Sequence, residues 1–191
     1  MKQRLTTKNG CDFFEVSSAF QKAVRRGNEK EALYWGLEFF ESNYHRYAWK
    51  RMLIMAAEDI GLANPDLIVQ VKALLDSSEW IQKHDQDKTP SVLHFILSIL
   101  LCVRSPKSRI VDNALNFIFK IRQNGEHLEI PEYCLDKHTR RGKMMGRTWK
   151  DFHYDGAHIE NMADVEGEQW YFDRVSDIID GKPISMRSEY E

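Results

Sequence analysis

Cysteine is scarce in this 191-residue chain. Cys11, Cys102 and Cys134 are odd in number, lie far apart and include no C-x-x-C pair. That excludes a disulfide scaffold and a Cys-rich zinc module, and makes a reducing cytoplasm the expected setting. Long apolar runs are also missing. The longest, residues 95–103, is broken by Ser98 and falls well short of the roughly 20 residues that span a bilayer, so no membrane role is expected. The opening MKQRLTTKNG is polar and holds no secretory signal. There is no G-x-x-x-x-G-K-[ST] loop and no G-x-G-x-x-G following a strand. The glycines of R-G-K-M-M-G-R, residues 141–147, have no strand before them. Nothing therefore points to ATP hydrolysis or calls for a cofactor. No internal repeat or low-complexity tract occurs.

What is present suits a globular protein: 42% hydrophobic, 12% aromatic and 29% charged residues. The net charge of -2 hides a strong polarity. Residues 1–136 balance 18 bases against 18 acids, and residues 137–150 carry six bases and no acid. Residues 151–191 carry 11 acids and three bases. A basic segment thus abuts an acidic tail.

From residue 13 to 124 apolar residues recur at helical spacing. Ser17 or Ser18 is the expected cap of a first helix ending near Gly27, and Asn28 that of a second. A third helix is expected over 45–59, stopped by Gly61, and a fourth beginning at Pro65. The fourth has Leu67, Ile68, Val71, Leu74 and Leu75 facing inward. Residues 83–89 read as a loop, followed by a strongly apolar helix over 92–103 and a sixth ending at Asn124-Gly125. These spacings predict an all-α protein, with an N-terminal tail over 1–12, a helical domain over 13–126 and a C-terminal extension over 127–191. The extension reads as irregular, packed on the domain, with a last helix over 168–179.

Candidate binding residues follow from charge. Lys137, His138, Arg140, Arg141, Lys143 and Arg147, with Lys107 and Arg109, are candidates for phosphate or partner contacts, since guanidinium forks match phosphate oxygens. The competing reading pairs some of these cations with the acidic tail or with helix C-termini of the body. His138, His153, Asp155, His158 and Glu160 offer metal-ligand chemistry without a recognised ligand spacing, so no metal is assigned. A small metal-dependent hydrolase or nuclease is the reading they would support. Glu58-Asp59, at the end of a helix, oppose its dipole and require a compensating donor. A structural role is expected there ahead of a catalytic pair.

Three segments in order carry more than composition: Ser18-Ala-Phe-Gln-Lys-Ala-Val-Arg-Arg-Gly-Asn-Glu-Lys-Glu-Ala-Leu-Tyr-Trp35, Ala57-Glu-Asp-Ile-Gly-Leu-Ala-Asn-Pro65 and Ser105-Pro-Lys-Ser108. They resemble the C-terminal region of the RarA/MgsA family, replication-associated AAA+ ATPases related to clamp loaders and to the Werner-interacting protein. The resemblance covers residues 18–124. It implies a compact helical bundle like a clamp-loader collar, a homotetramer, and association with DNA, single-strand-binding protein or a related ATPase. The apolar surface around Trp35, Phe39, Phe40 and Trp49 exceeds what one small helical layer needs, so these residues are the expected subunit interface. The family's ATPase module has no counterpart between Met1 and the helical domain, so a non-enzymatic role is expected. A decoy that binds a host replication or defence complex is the alternative.

Overall fold

The computed structural model describes residues 5–87 and 89–183; the start of the tail, Lys88 and the end of the acidic tail lie outside the described residues, and the loop expected over 83–89 is shorter, since helix extends to His84 and resumes at Thr89. The protein is all-α. Among the described residues its only β feature is a single antiparallel bridge between Thr6 and Asp12. The chain divides into two compact units, residues 1–126 and 127–191.

Six helices build the N-terminal unit: α1 (Phe13–Arg25), α2 (Glu29–Glu41), α3 (His45–Met55), α4 (Leu67–His84), α5 (Thr89–Arg104) and α6 (Ile110–Gln123). α1 begins before the expected serines because Asp12 caps it, its Oδ1 accepting from the backbone N–H groups of Phe14 at 2.9 Å and Glu15 at 3.1 Å. Ser17 instead lies inside α1, nearly buried, with its hydroxyl 2.8 Å from that of Tyr47. Asn28 caps α2 as its residue type predicts. Ahead of α1, Asn9 is tied to the buried carboxylate of Glu38, its backbone N–H donating at 3.1 Å and its amide at 2.5 Å.

α1 pairs with α2 and α4 with α5, and α5 also packs against α1, α2 and α3. Its apolar run is central for that reason: Phe95, Ile99 and Cys102 are fully buried with Phe20, Phe39, Met52, Met55 and Leu67. Gly36 lets α2 press onto this layer. A Cβ there would stand 2.5 Å from Ile99 Cδ1 and 3.2 Å from a Phe20 ring carbon. Ile68, expected inward, is 41% exposed, whereas Leu67 and Val71 are buried as expected.

The C-terminal unit is built differently. It contains α7 (Arg140–Met144), α8 (Trp149–Asp151) and α9 (Glu168–Ile179). The last matches the expected helix end for end, while α7 and α8 replace what the sequence suggested was extended chain. Thr139 caps α7, and Thr148 with Asp151 forms a capping box on α8. Gly142 fixes the fold of α7: a Cβ there would stand 1.8 Å from the Asp136 carbonyl oxygen and 2.7 Å from that of Leu135. Only glycine allows so close a backbone approach.

Candidate functional site

The three sequence segments that carry the family resemblance converge on Asp59. After Met55 the α3 backbone widens into a π-helical turn, Ala56–Ile60, closed by Gly61 with φ of 47°. The turn places Asp59 wholly inside and Glu58 partly inside. Arg25, in the last turn of α1, donates from Nε to Asp59 Oδ1 at 2.7 Å and from Nη2 to Glu58 Oε1 at 3.1 Å. Arg109, just before α6, donates from Nη1 to the same Asp59 oxygen at 2.6 Å and to Glu58 Oε1 at 3.3 Å. Its Nη2 pairs with Asp112. Gln21 donates weakly to both carboxylates and accepts from Arg51. The Ser108 backbone N–H donates to the Asp59 carbonyl at 2.9 Å.

An isolated buried carboxylate would be costly, so two guanidinium groups sharing one oxygen are the compensation that Glu58-Asp59 require. Burial opposes the Arg109 charge, but the hydrogen bond to Asp112 and the adjacent carboxylates hold its pKa above the ordinary value. Both Asp59 oxygens are engaged, and no nucleophile faces them. The cluster is a clamp that joins the end of α1, the turn after α3 and the root of α6. Arg109 is therefore not the free phosphate-contacting cation expected from the sequence. Nor is Lys107. Its Nζ donates to the carbonyls of Cys102, Val103 and Ser105 at 2.9, 2.8 and 2.5 Å, closing the C-terminus of α5, and burial lowers its pKa.

Beyond this root, α6 stands open. None of its residues is buried, and Leu115, Phe117, Ile118 and Phe119 are each more than half exposed. Asp112, Asn116, Lys120 and Gln123 mark a polar edge, while Ile110, Val111, Ala114, Leu115, Phe117, Ile118 and Ile121 fill most of the remaining circumference. A helix with so wide an apolar arc ordinarily has a partner on it. By contrast, Phe39 and Trp49, expected at a subunit interface, sit in the core with 0% and 2% exposure. Phe95 meets the ring of Trp49 at 5.3 Å and that of Phe40 at 5.2 Å. Trp35 and Phe40 are half-buried against the same core. The apolar surplus that suggested an interface there is largely taken up by the chain's own packing.

In the C-terminal unit the basic segment separates into paired and unpaired cations. Arg147 pairs with Glu132 at 2.6 Å and with Asp151, and Lys150 pairs with Asp180 at 2.7 Å. Lys137 Nζ lies 3.2 Å from the centre of the Trp149 ring, a close cation–π contact. His138 is within 3.1 Å of Asp136, and its ring packs edge-on against Phe152 and Trp149. Arg140, Arg141 and Lys143 are exposed and make no ion pair among the described residues. Gly142 between them faces inward onto Asp136, which turns the three cations outward. Part of the basic segment is thus internally paired, as one of the two readings had it, and part is open.

The histidines do not gather. His153 Nε2 is 2.8 Å from the Ser176 hydroxyl, His158 is 3.1 Å from Glu160, and Asp155 joins neither pair. Among the described residues no group of three or more His, Cys, Asp or Glu side chains is placed to hold a metal ion. The metal-dependent hydrolase reading loses its ligand set. Cys102 is buried, which raises its thiol pKa to about 12. No helix of the described residues is long and apolar enough to cross a membrane.

The family model described as the MgsA AAA+ ATPase C terminal matches residues 27–176. Replication-associated recombination protein A of Bacillus subtilis (strain 168) is 27% identical over 170 residues, covering 86% of this chain and 39% of that protein. The protein of that name from Haemophilus influenzae is 26% identical over 179 residues, covering 92% and 38%. The one from Coxiella burnetii is 30% identical over 156 residues, covering 81% and 33%. The chain spans about two-fifths or less of the length of these curated relatives.

Proposed function

Since the chain belongs to the family of MgsA AAA+ ATPase C-terminal domains, we propose that it serves as a non-enzymatic, oligomerising helical module in DNA replication and recombination. Copies meet on the apolar arc of α6, and the assembly is a tetramer. The observation that carries this is a helix with no buried residue and at least four large apolar side chains more than half exposed. The Asp59 clamp supports it, because a rigid root sets the direction in which α6 projects.

The test is light scattering coupled to size exclusion. The parent is expected above monomer mass, and Leu115→Glu with Phe119→Glu is expected to be monomeric with unchanged helical circular dichroism. A monomeric parent at tens of micromolar, or a variant that assembles like the parent, overturns the reading.

A second surface is supported by a separate observation: Arg140, Arg141 and Lys143 face outward with no ion pair among the described residues. We infer contact there with nucleic acid, through phosphate. Single-strand-binding protein or a related ATPase would be a partner of the same module. Filter binding of single-stranded DNA by Arg140→Ala, Arg141→Ala, Lys143→Ala is expected to be weaker. The slope of log affinity against log salt should be shallower by about two. An unchanged slope removes these residues from the contact.

A further inference from the structure

Within the C-terminal unit the π-helical turn Phe152–Gly156, the chain over 157–162 and α9 enclose an open cavity of about 550 Å³. His153 stacks on Phe172 at 4.5 Å and forms its floor with Val175, while Ile159, Met162 and Tyr171 form its walls. These walls are more than half exposed, so apolar surface faces solvent in a recess rather than on a convex face. A volume in this range suits one or two bulky apolar side chains.

One side of the recess is acidic: Glu168 lines it, and Asp164 and Glu166 line the hollow that adjoins it through Met162, Glu168 and Gln169, while Lys150 approaches the Tyr154 ring on the other side. Residues 155–173 carry Asp155, Glu160, Asp164, Glu166, Glu168 and Asp173 with no Lys or Arg. Among the described residues none of these six pairs with a lysine or arginine. Glu160 has only His158, and Asp173 accepts from Gln169. Acidic groups left without cations keep their field, and around a recess of low polarity that field favours an incoming cation. The basic segment of the same unit does not line the recess: none of residues 137–150 is among the residues that form it.

We propose that this recess is a docking site for a cationic peptide segment of a partner protein, one that carries a bulky apolar residue between lysines or arginines. The apolar side chain enters between Met162, Tyr171 and Phe172, and the flanking cations meet Glu160, Asp164 and Glu168. The apolar contact supplies the anchor and the acidic rim selects the sign of the ligand. This site is distinct from the α6 face and from Arg140, Arg141 and Lys143, so it stands whether or not those surfaces act as proposed.

The test uses the full chain and fluorescence anisotropy of labelled hexapeptides. One has two phenylalanines between two lysine pairs, a second has glutamates in place of the lysines, and a third is lysine throughout. The first is expected to bind at least tenfold more tightly than either control. Its affinity should fall about fivefold or more in Ile159→Ser with Met162→Ser, and similarly in Asp164→Lys with Glu168→Lys. Ile159, Met162 and Asp164 are exposed and Glu168 is half-buried at the first position of α9, and circular dichroism of both variants is expected to match the parent. Equal affinity for the first and third peptides reduces the effect to bulk charge and overturns the proposal. So does equal binding by the parent and the Ile159, Met162 variant. Loss of self-association in that variant without any peptide binding assigns the recess to a second copy, and overturns it as well.

Discussion

The N-terminal unit joins nineteen buried apolar residues in one core, whereas in the C-terminal unit Leu135 is the only buried apolar side chain among the described residues. Both draw on similar residue types, and the C-terminal unit has aromatics enough: Trp149, Phe152, Tyr154, Trp170, Tyr171 and Phe172. What differs is the number of elements that can close around them. Six helices, four of which meet on α5, close around a shared set of large side chains. Three helices, two of them of five residues or fewer, cannot exclude water from a core. The second unit is held instead by capping hydrogen bonds, a glycine against a carbonyl and ion pairs at the surface, each worth little alone. One region has a closed core with a single open helix, α6, and the other keeps most of its apolar and charged groups open to contact.

The largest effect that would sharpen this contrast is Phe39→Ala, which removes a fully buried ring. It is expected to cost about 4 kcal/mol in denaturant unfolding of the N-terminal unit. Phe172→Ala, at a 43% exposed position, should cost about 1 kcal/mol or less. Comparable losses would mean that the C-terminal unit has a core after all. Next is Asp59→Ala, which leaves Arg25 and Arg109 facing one another without their buried counter-charge. A loss of about 3 kcal/mol is expected, with faster amide exchange in α6. If exchange in α6 is unchanged, the clamp does not hold that helix.

Gly142→Ala comes third. With no room for a Cβ, α7 must move from Asp136, at a cost of about 2 kcal/mol read as local loss of amide protection over 135–147. Protection of α5 should stay as it was.

The smallest effect is that of acid on the C-terminal unit. Hydrogen bonds from His138 to Asp136, from the Thr148 backbone to Asp151 and from Lys150 to Asp180 hold these carboxyls below their ordinary 3.8. Lowered folded values mean that their contribution is complete above that value and is lost as pH falls below it. The indole resonances of Trp149 and Trp170 should broaden or shift below about pH 4, while Trp49 stays sharp. Simultaneous change of all three would break the distinction between the units.

Much of the helical architecture was legible because apolar spacing of 3.6 residues survives in single elements; the bounds of α9 are the clearest case. The start of α1 is ambiguous in sequence because Asp12 and Ser17 are equally good caps by residue type, and only the pairing of Ser17 with Tyr47 separates them. A π-helical turn has no spacing signature, so the periodicity predicts one helix through to Asp59 where the structure has α3 followed by the turn. Periodicity also cannot tell a core from an interface. It marked Phe39 and Trp49 as surplus apolar surface, and gave no sign that the equally periodic α6 would lack cover. The partners of Asp59 lie 34 and 50 residues away in sequence. Glu58-Asp59 signalled the need for a cation, but Arg25 and Arg109 could be named only once the chain was folded.

The Asp59 clamp has a mechanical consequence. α6 meets the turn that follows α3, where Arg109 at its root grips Asp59 and Val111 faces Gly61. Fourteen residues of helix make an arm about 20 Å long. A pivot of ~10° at the root would sweep its far end through roughly 4 Å, about the diameter of a methyl group. Two arginines thus act as the bearing of a lever, and the angular tolerance of any assembly built on α6 is the tolerance of their grip on one carboxylate.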